Sequence, residues 1–202
     1  MNFFKRILSA ALAVGLIALA AGCSGAKLKV TDVSGSSYDI TSSVQSSQSS
    51  AQSSKSDKQT YTMADIKKLK NTEHFAKNTL EHIFDGTINS KGKATGYHYS
   101  MVTDSKGKII DGTRSKTDGN GVFTGKVEVS GVKKNGFSSF YPESWTPQQV
   151  VDAINAAYDD ALKNPDNPQG ELWIGYSGNL EIDMYMNKNK QITTAYPVFE
   201  GD

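Results

Sequence analysis

Apolar positions along the chain fall into blocks whose spacing sets the expected elements. After Tyr61, Thr62-Met63-Ala64-Asp65 has the form of a capping box, and Ile66 and Leu69 follow on one face, predicting a short first helix. Phe75, Thr79, Leu80 and Ile83 make an apolar stripe, which predicts a second helix over about 73–84, ended by Asp85-Gly86. Glycine-punctuated strands are predicted at about 94–101, 108–111, 122–132 and 137–141, with Val127 and Val129 alternating with Lys126 and Glu128. The clearest helix comes next. Thr146-Pro147-Gln148-Gln149 combines a capping box with proline at the first helical position, and Val150, Val151, Ile154, Ala157, Tyr158, Ala161 and Leu162 repeat until Asn164-Pro165. Strands are then expected at about 171–176, 180–186 and 191–199, with Asn187-Lys188-Asn189-Lys190 as a hairpin turn. N-terminal helices, antiparallel sheets and one long central helix predict an α+β domain over residues 61–202.

The first sixty residues follow other rules. Lys5 and Arg6 precede an uncharged, Leu/Ala-rich run from Ile7 to Gly22, which ends in Leu19-Ala20-Ala21-Gly22-Cys23. Sixteen residues are short for a membrane span, and small residues at the end suit a signal peptidase. Residues 1–22 are therefore expected to be a signal peptide. A cysteine directly after small residues resembles a bacterial lipobox, in which Cys23 is lipid-modified; Ala20 stands where leucine is usual. An ordinary signal peptide with an incidental cysteine, or a short N-terminal anchor, are the alternatives. The lipobox reading places the protein on the cell membrane by a lipid anchor, facing outward, or secreted. Residues 34–56 hold twelve serines and three glutamines, too little apolar surface to offset ordering, so 23–60 is expected to be a flexible linker.

Composition adds exclusions. A single cysteine rules out an intramolecular disulfide. No His-Glu-x-x-His, cysteine cluster, Gly-rich phosphate loop or Gly-x-Ser-x-Gly elbow is present. Charge is uneven: residues 67–134 carry a net +6 and residues 143–202 a net −7. Solvated surface explains this by itself; a basic face that collects a polyanion also does. Two of the three histidines, His82 and His98, lie sixteen residues apart in the basic stretch. A lone histidine is most often a surface or half-buried polar residue, and His74, on the expected second helix, has only that reading. Two imidazoles converging on one phosphodiester, however, can exchange protons with it near neutral pH.

Segments at both ends of the domain bear on that choice. His82-Ile83-Phe84-x-Gly86 followed by Lys91-Gly92-Lys93-Ala94-Thr95-Gly96-Tyr97-His98-Tyr99 resembles the two-histidine region of bacterial EndoU endoribonucleases. Phe140-Tyr141-Pro142-Glu143-Ser144-Trp145-Thr146-Pro147 resembles that family's F-P-x-S-W-S/T segment, and Thr194-Ala195-Tyr196-Pro197 its closing T-x-Y-P. The matches run in the family's order over about residues 62–200.

The resemblance implies an EndoU/barnase-like ribonuclease toxin fold in which two histidines and a lysine cleave RNA. The 2′-hydroxyl attacks the adjacent phosphate and leaves 2′,3′-cyclic phosphate and 5′-hydroxyl ends. One imidazole must accept the 2′-OH proton, the other must protonate the leaving oxygen, and a cation must offset phosphorane charge. The family favours His98 as base and His82 as acid. Lys134 is the favoured lysine, with Lys133 beside it and Lys126 as alternatives. Tyr196 would stack on the base and Thr194 would bond its edge, while Ser138, Ser139 and Ser144 are candidates for phosphate contact. Trp145 reads as core at a helix start. No cofactor is required, although the family includes manganese-stimulated members. Expected partners are RNA (a tRNA or uridine-containing single strands) and, for a toxin, an immunity protein; the chain is expected to be a monomer. The competing class is a surface lipoprotein that only binds RNA or another extracellular ligand on a nuclease fold.

Overall fold

The computed structural model describes residues 59–201. The expected signal peptide, the Cys23 lipidation site and nearly all of the expected linker lie outside these residues. Two short helices come first, α1 (Met63–Ile66) and α2 (Thr79–Phe84), and the hairpin β1 (Thr87–Ile88) and β2 (Ala94–Thr95) follows. Strands β3 (Gly107–Ile109), β4 (Phe123–Val129) and β5 (Val132–Phe140) form a sheet in that order. The 17-residue helix α3 (Pro147–Lys163) leads into β6 (Leu172–Ser177), β7 (Leu180–Met186) and β8 (Ile192–Pro197), a second three-stranded sheet. All strand pairs are antiparallel, which makes the domain α+β.

Helix α3 forms where its sequence says it should. The Thr146 hydroxyl accepts from Gln149 N–H, the Gln149 side chain caps Thr146 N–H in return, and Pro147 occupies the first turn. Its stripe of Val150, Val151, Ile154, Ala157 and Ala161 is buried in the main core with Ile182 and Met184 of β7 and Ile192 and Ala195 of β8. Each such valine, isoleucine or methionine side chain taken fully from water contributes about 1.5–3 kcal/mol, so this layer is the anchor of the domain. A second, smaller core lies on the other sheet, where Phe123, Val127, Val129 and Phe140 enclose Ala94 and Tyr97. Phe123 and Phe140 stack there with ring centroids 4.8 Å apart.

Three expectations are corrected. The second helix covers only its last six residues, because Asn78 takes a left-handed φ of 68° and the segment before it pairs with β8. Ala76 N donates to Ile192 O and Ile192 N donates to His74 O, so Phe75 enters the core from an extended segment; His74 is exposed and stacks on Tyr158 at 4.4 Å. The strand expected over 94–101 is regular only at Ala94–Thr95, since Gly96 and Tyr97 both have positive φ. The expected strands over 122–132 and 137–141 leave residues 133–136 between them, but the hairpin turn between β4 and β5 is Ser130-Gly131. Both turn residues have positive φ (49° and 79°) and Val129 faces Val132, the two-residue geometry that matches strand twist. Lys134 therefore lies within a strand rather than in a turn.

Candidate active site

A cleft of about 460 Å³ opens between the two sheets and is lined by His82, Thr95, Gly96, His98, Lys134, Phe137, Ser139, Thr194 and Tyr196. His82, His98, Lys134, Ser139, Thr194 and Tyr196, all singled out from the sequence for chemistry or substrate contact, thus line one space, whereas Ser138 and Ser144 do not. Their convergence has local causes.

The last carbonyls of a helix lack partners within it. At the end of α2, Tyr97 N–H donates to His82 O (2.9 Å) and His98 N–H to Ile83 O (2.7 Å), which stitches the segment carrying the second histidine to the helix carrying the first. Gly96 makes this approach possible: a Cβ there would collide with the His82 carbonyl oxygen. The two imidazole centroids stand 6.4 Å apart.

Each ring is oriented from behind. His98 is 5% exposed and its Nδ1–H donates to the Ser139 carbonyl at 2.9 Å, which leaves the lone pair on Nε2. Its flat face lies against Tyr196, with centroids 5.4 Å apart and planes 24° from parallel. The His82 Nδ1 sits 2.9 Å from Thr87 Oγ1, which is 3.0 Å from Thr95 Oγ1, and Thr95 donates to Thr87 O. Counting hydrogens sets the direction. The single Thr95 hydroxyl proton goes to the carbonyl, so Thr87 donates to Thr95 and accepts Nδ1–H from His82.

Lys134 enters the cleft from an irregularity in β5. Lys126 faces Phe137 and Glu128 faces Lys133, so residues 134–136 oppose Val127 alone; this bulge turns Lys134 toward the histidines. Its Nζ donates to Ser138 Oγ (2.7 Å) and Gly96 O (3.1 Å). Lys126 lies on the exposed side over the Phe137 ring, and Lys133 is exposed. A second bulge prepares the facing wall. Met186 faces Ile192 and Tyr185 faces Thr194, so the alternation on β8 is reset at Thr193: Ile192 and Ala195 point into the core, Thr194 and Tyr196 into the cleft.

Ser138 departs from the substrate-contact expectation. It is 1% exposed, and its hydroxyl is engaged by Lys134 and donates to Gly96 O, while its neighbour Ser139 lines the cleft. Ser144 is exposed at the start of α3 and does not line the cleft, and Trp145 packs on the main core. Thr87, Thr95 and Phe137 were not singled out from the sequence. Threonines on short strands are too common to read alone; only the Thr87–Thr95 pairing gives them meaning.

Burial governs the charges. It pushes His82 down to about 4, with the nearby Lys134 ammonium adding to the effect, and holds His98 well below the ordinary histidine range for the same two reasons. Lys134 is lowered to about 8 by burial. Near neutral pH the cleft therefore contains two neutral imidazoles and one mostly protonated amine. It holds net positive charge that an anion can compensate. Among the described residues, no three His, Cys, Asp or Glu side chains converge to hold a metal.

Two imidazoles whose Nδ1 atoms are engaged from behind, an ammonium and an aromatic ring lining one cleft make a candidate acid–base site in an α+β domain. Residues 76–198 match the family model described as "Bacterial EndoU nuclease", more than half of the chain, and the chain belongs to that nuclease family. It is also similar to a Bacillus cereus protein named "Toxin", 41% identical over 135 residues, which are 65% of this chain and 24% of that relative. The chain thus spans about a quarter of the length of that relative.

Proposed function

We propose that the domain is an endoribonuclease and acts as a toxin between bacteria. The observation that carries this is the convergence of His82, His98 and Lys134 on one cleft whose other wall presents Thr194 and Tyr196. In the proposed reaction His98 Nε2 takes the proton from the ribose 2′-OH, and the 2′-oxygen forms a bond to phosphorus. The bond from phosphorus to the 5′-oxygen breaks, and protonated His82 supplies a proton to that oxygen. The products are a 2′,3′-cyclic phosphate and a 5′-hydroxyl; proton exchange with water then resets both rings. Lys134 offsets charge on the non-bridging oxygens. His82 is neutral in the free protein near pH 7, so the bound phosphodiester is needed to draw a proton onto it by adding negative charge nearby. The base would stack on Tyr196 and bond Thr194 at its edge. On this reading Ser138 acts through Lys134, which it holds in place.

The test is direct. The full chain, incubated with a single-stranded RNA oligomer, should give cyclic-phosphate ends. His98→Ala should reduce the rate by ~100-fold or more, and a 2′-deoxy sugar at the scissile position should block cleavage. A His98→Ala protein as fast as the parent would sink the assignment. Comparing rates with manganese and with a chelator reads metal stimulation. The neutral state of both imidazoles also suits a binding-only protein. That second reading expects RNA binding without turnover, unchanged in His82→Ala.

A further inference from the structure

A second hollow adjoins the cleft and has no part in the chemistry above. It measures about 330 Å³ and is lined by the turn and edge of the β1–β2 hairpin (Asn89, Gly92, Lys93, Ala94 and Thr95) and by residues 132–135 of β5. Thr95 and Lys134 line both spaces. No carboxylate lines this hollow, whereas Lys93, Lys133 and Lys134 do. Among the described ion pairs none involves Lys93 or Lys133, although Glu128 stands opposite Lys133 in the hairpin register. Both residues are exposed.

The hollow is held open by the local backbone. Asn89 Oδ1 accepts from Lys91 N–H and Lys93 N–H (both 3.0 Å), and Asn89 N–H donates to Lys93 O (2.9 Å), which fixes the turn that carries Lys93. The bulge in β5 that turns Lys134 into the cleft leaves Lys133 on the outer side of the same strand. Thr95 and Lys134 thus border both spaces, with the histidines lining one and Lys93 and Lys133 lining the other.

A nucleic-acid strand cannot stop at the scissile phosphate; its neighbours need a path, and a path for phosphates is cationic. We propose that this groove is a second subsite, in which Lys93 and Lys133 bind a backbone phosphate of single-stranded RNA flanking the scissile one. The subsite rests on the nuclease reading for its substrate class but contributes binding, not bond breaking. Long strands reach it; a dinucleoside monophosphate, with one phosphate, does not.

Full-length parent and a K93Q/K133Q variant are compared on a dinucleoside monophosphate and on a twelve-nucleotide single strand. The variant should lose ~10-fold in kcat/KM on the long strand, its logarithmic salt dependence should flatten by about 0.7, as for one single-strand phosphate, and the dinucleotide rate should be unchanged. K93R/K133R should behave as the parent. Equal loss on both substrates, or no loss on the long one, overturns the subsite. Binding of a non-cleavable 2′-O-methyl twelve-mer, followed by fluorescence anisotropy, separates this from the nuclease reading. If the parent cleaves neither substrate, the nuclease reading fails, but a ~10-fold weaker affinity in K93Q/K133Q still supports the groove. Unchanged affinity there removes it.

Discussion

At the scale of the residue, the site is a set of oriented lone pairs more than a set of charges. His98 has its tautomer fixed by the Ser139 carbonyl, which accepts but cannot donate, so its Nε2 is available as a base whatever the pH above its titration. His82 is different, because its partner is a hydroxyl that can accept or donate. Only the onward link from Thr87 to Thr95, and from Thr95 to a carbonyl, forces Thr87 to accept. Thr87→Val keeps the shape and removes that acceptor, leaving Nδ1–H of His82 unpaired behind the ring. In the proposed ribonuclease this lowers kcat ~10-fold with KM little changed, and Thr87→Ser restores it. A loss confined to KM, or a serine variant as poor as the valine one, would show that Thr87 does not act through His82.

At the scale of the element, short irregular pieces aim the site and long regular ones support it. The supporting part was legible in the sequence: the capping box and apolar stripe of α3, the alternation on β7 and the Asn187–Lys190 turn all form as their patterns predict, with Asn187 N–H donating to Gln191 O. The meeting of the two histidines and Tyr196 in one cleft was also expected from the family-like segments. The choice of Lys134 over Lys133 and Lys126 stays open in those segments and is narrowed by which of them lines the cleft. What could not be read were the features of strand phase. The bulge at Thr193 reverses which side of β8 faces the core, and a period-two pattern has no symbol for one extra residue. The bulge in β5 and the Ser130-Gly131 turn were missed for the same reason, since a hairpin register is decided by turn geometry and not by apolar spacing. The Gly92 and Gly96 pair isolates one such feature. Their φ values are 70° and 74°, but a Cβ on Gly92 meets open space while one on Gly96 meets the His82 backbone. Gly92→Ala should cost about 1–2 kcal/mol from conformation alone. Gly96→Ala should cost ~1–3 kcal/mol more, because the neighbouring backbone must move. Urea unfolding of both variants measures the difference; equal midpoints would mean that the α2 contact yields without strain.

At the scale of the whole molecule, the cleft works against the stability that the α3 layer supplies. Lys134 is held at about 8 by burial, against 10.5 ordinarily, so the folded chain binds fewer protons than the unfolded one between those values. Stability rises with pH wherever the unfolded state binds more protons. The electrostatic cost of this group is therefore absent above about 10.5, builds as pH falls toward 8, and is nearly complete at pH 7. Taken whole, a shift of that size corresponds to ~3 kcal/mol; the half-buried position and the two hydrogen bonds of its Nζ reduce the net to about 1–2 kcal/mol. Lys134→Met keeps the length and apolar stem of the side chain and removes the ammonium. It should abolish cleavage yet raise the urea midpoint at pH 7, and that advantage should shrink through pH 8–10 and vanish near pH 10.5, where the parent lysine is neutral in the fold. Parallel unfolding curves at pH 7, 9 and 10.5 decide it. A methionine variant that is less stable at pH 7, or equally more stable at every pH, would mean that packing rather than buried charge sets the energy of this site.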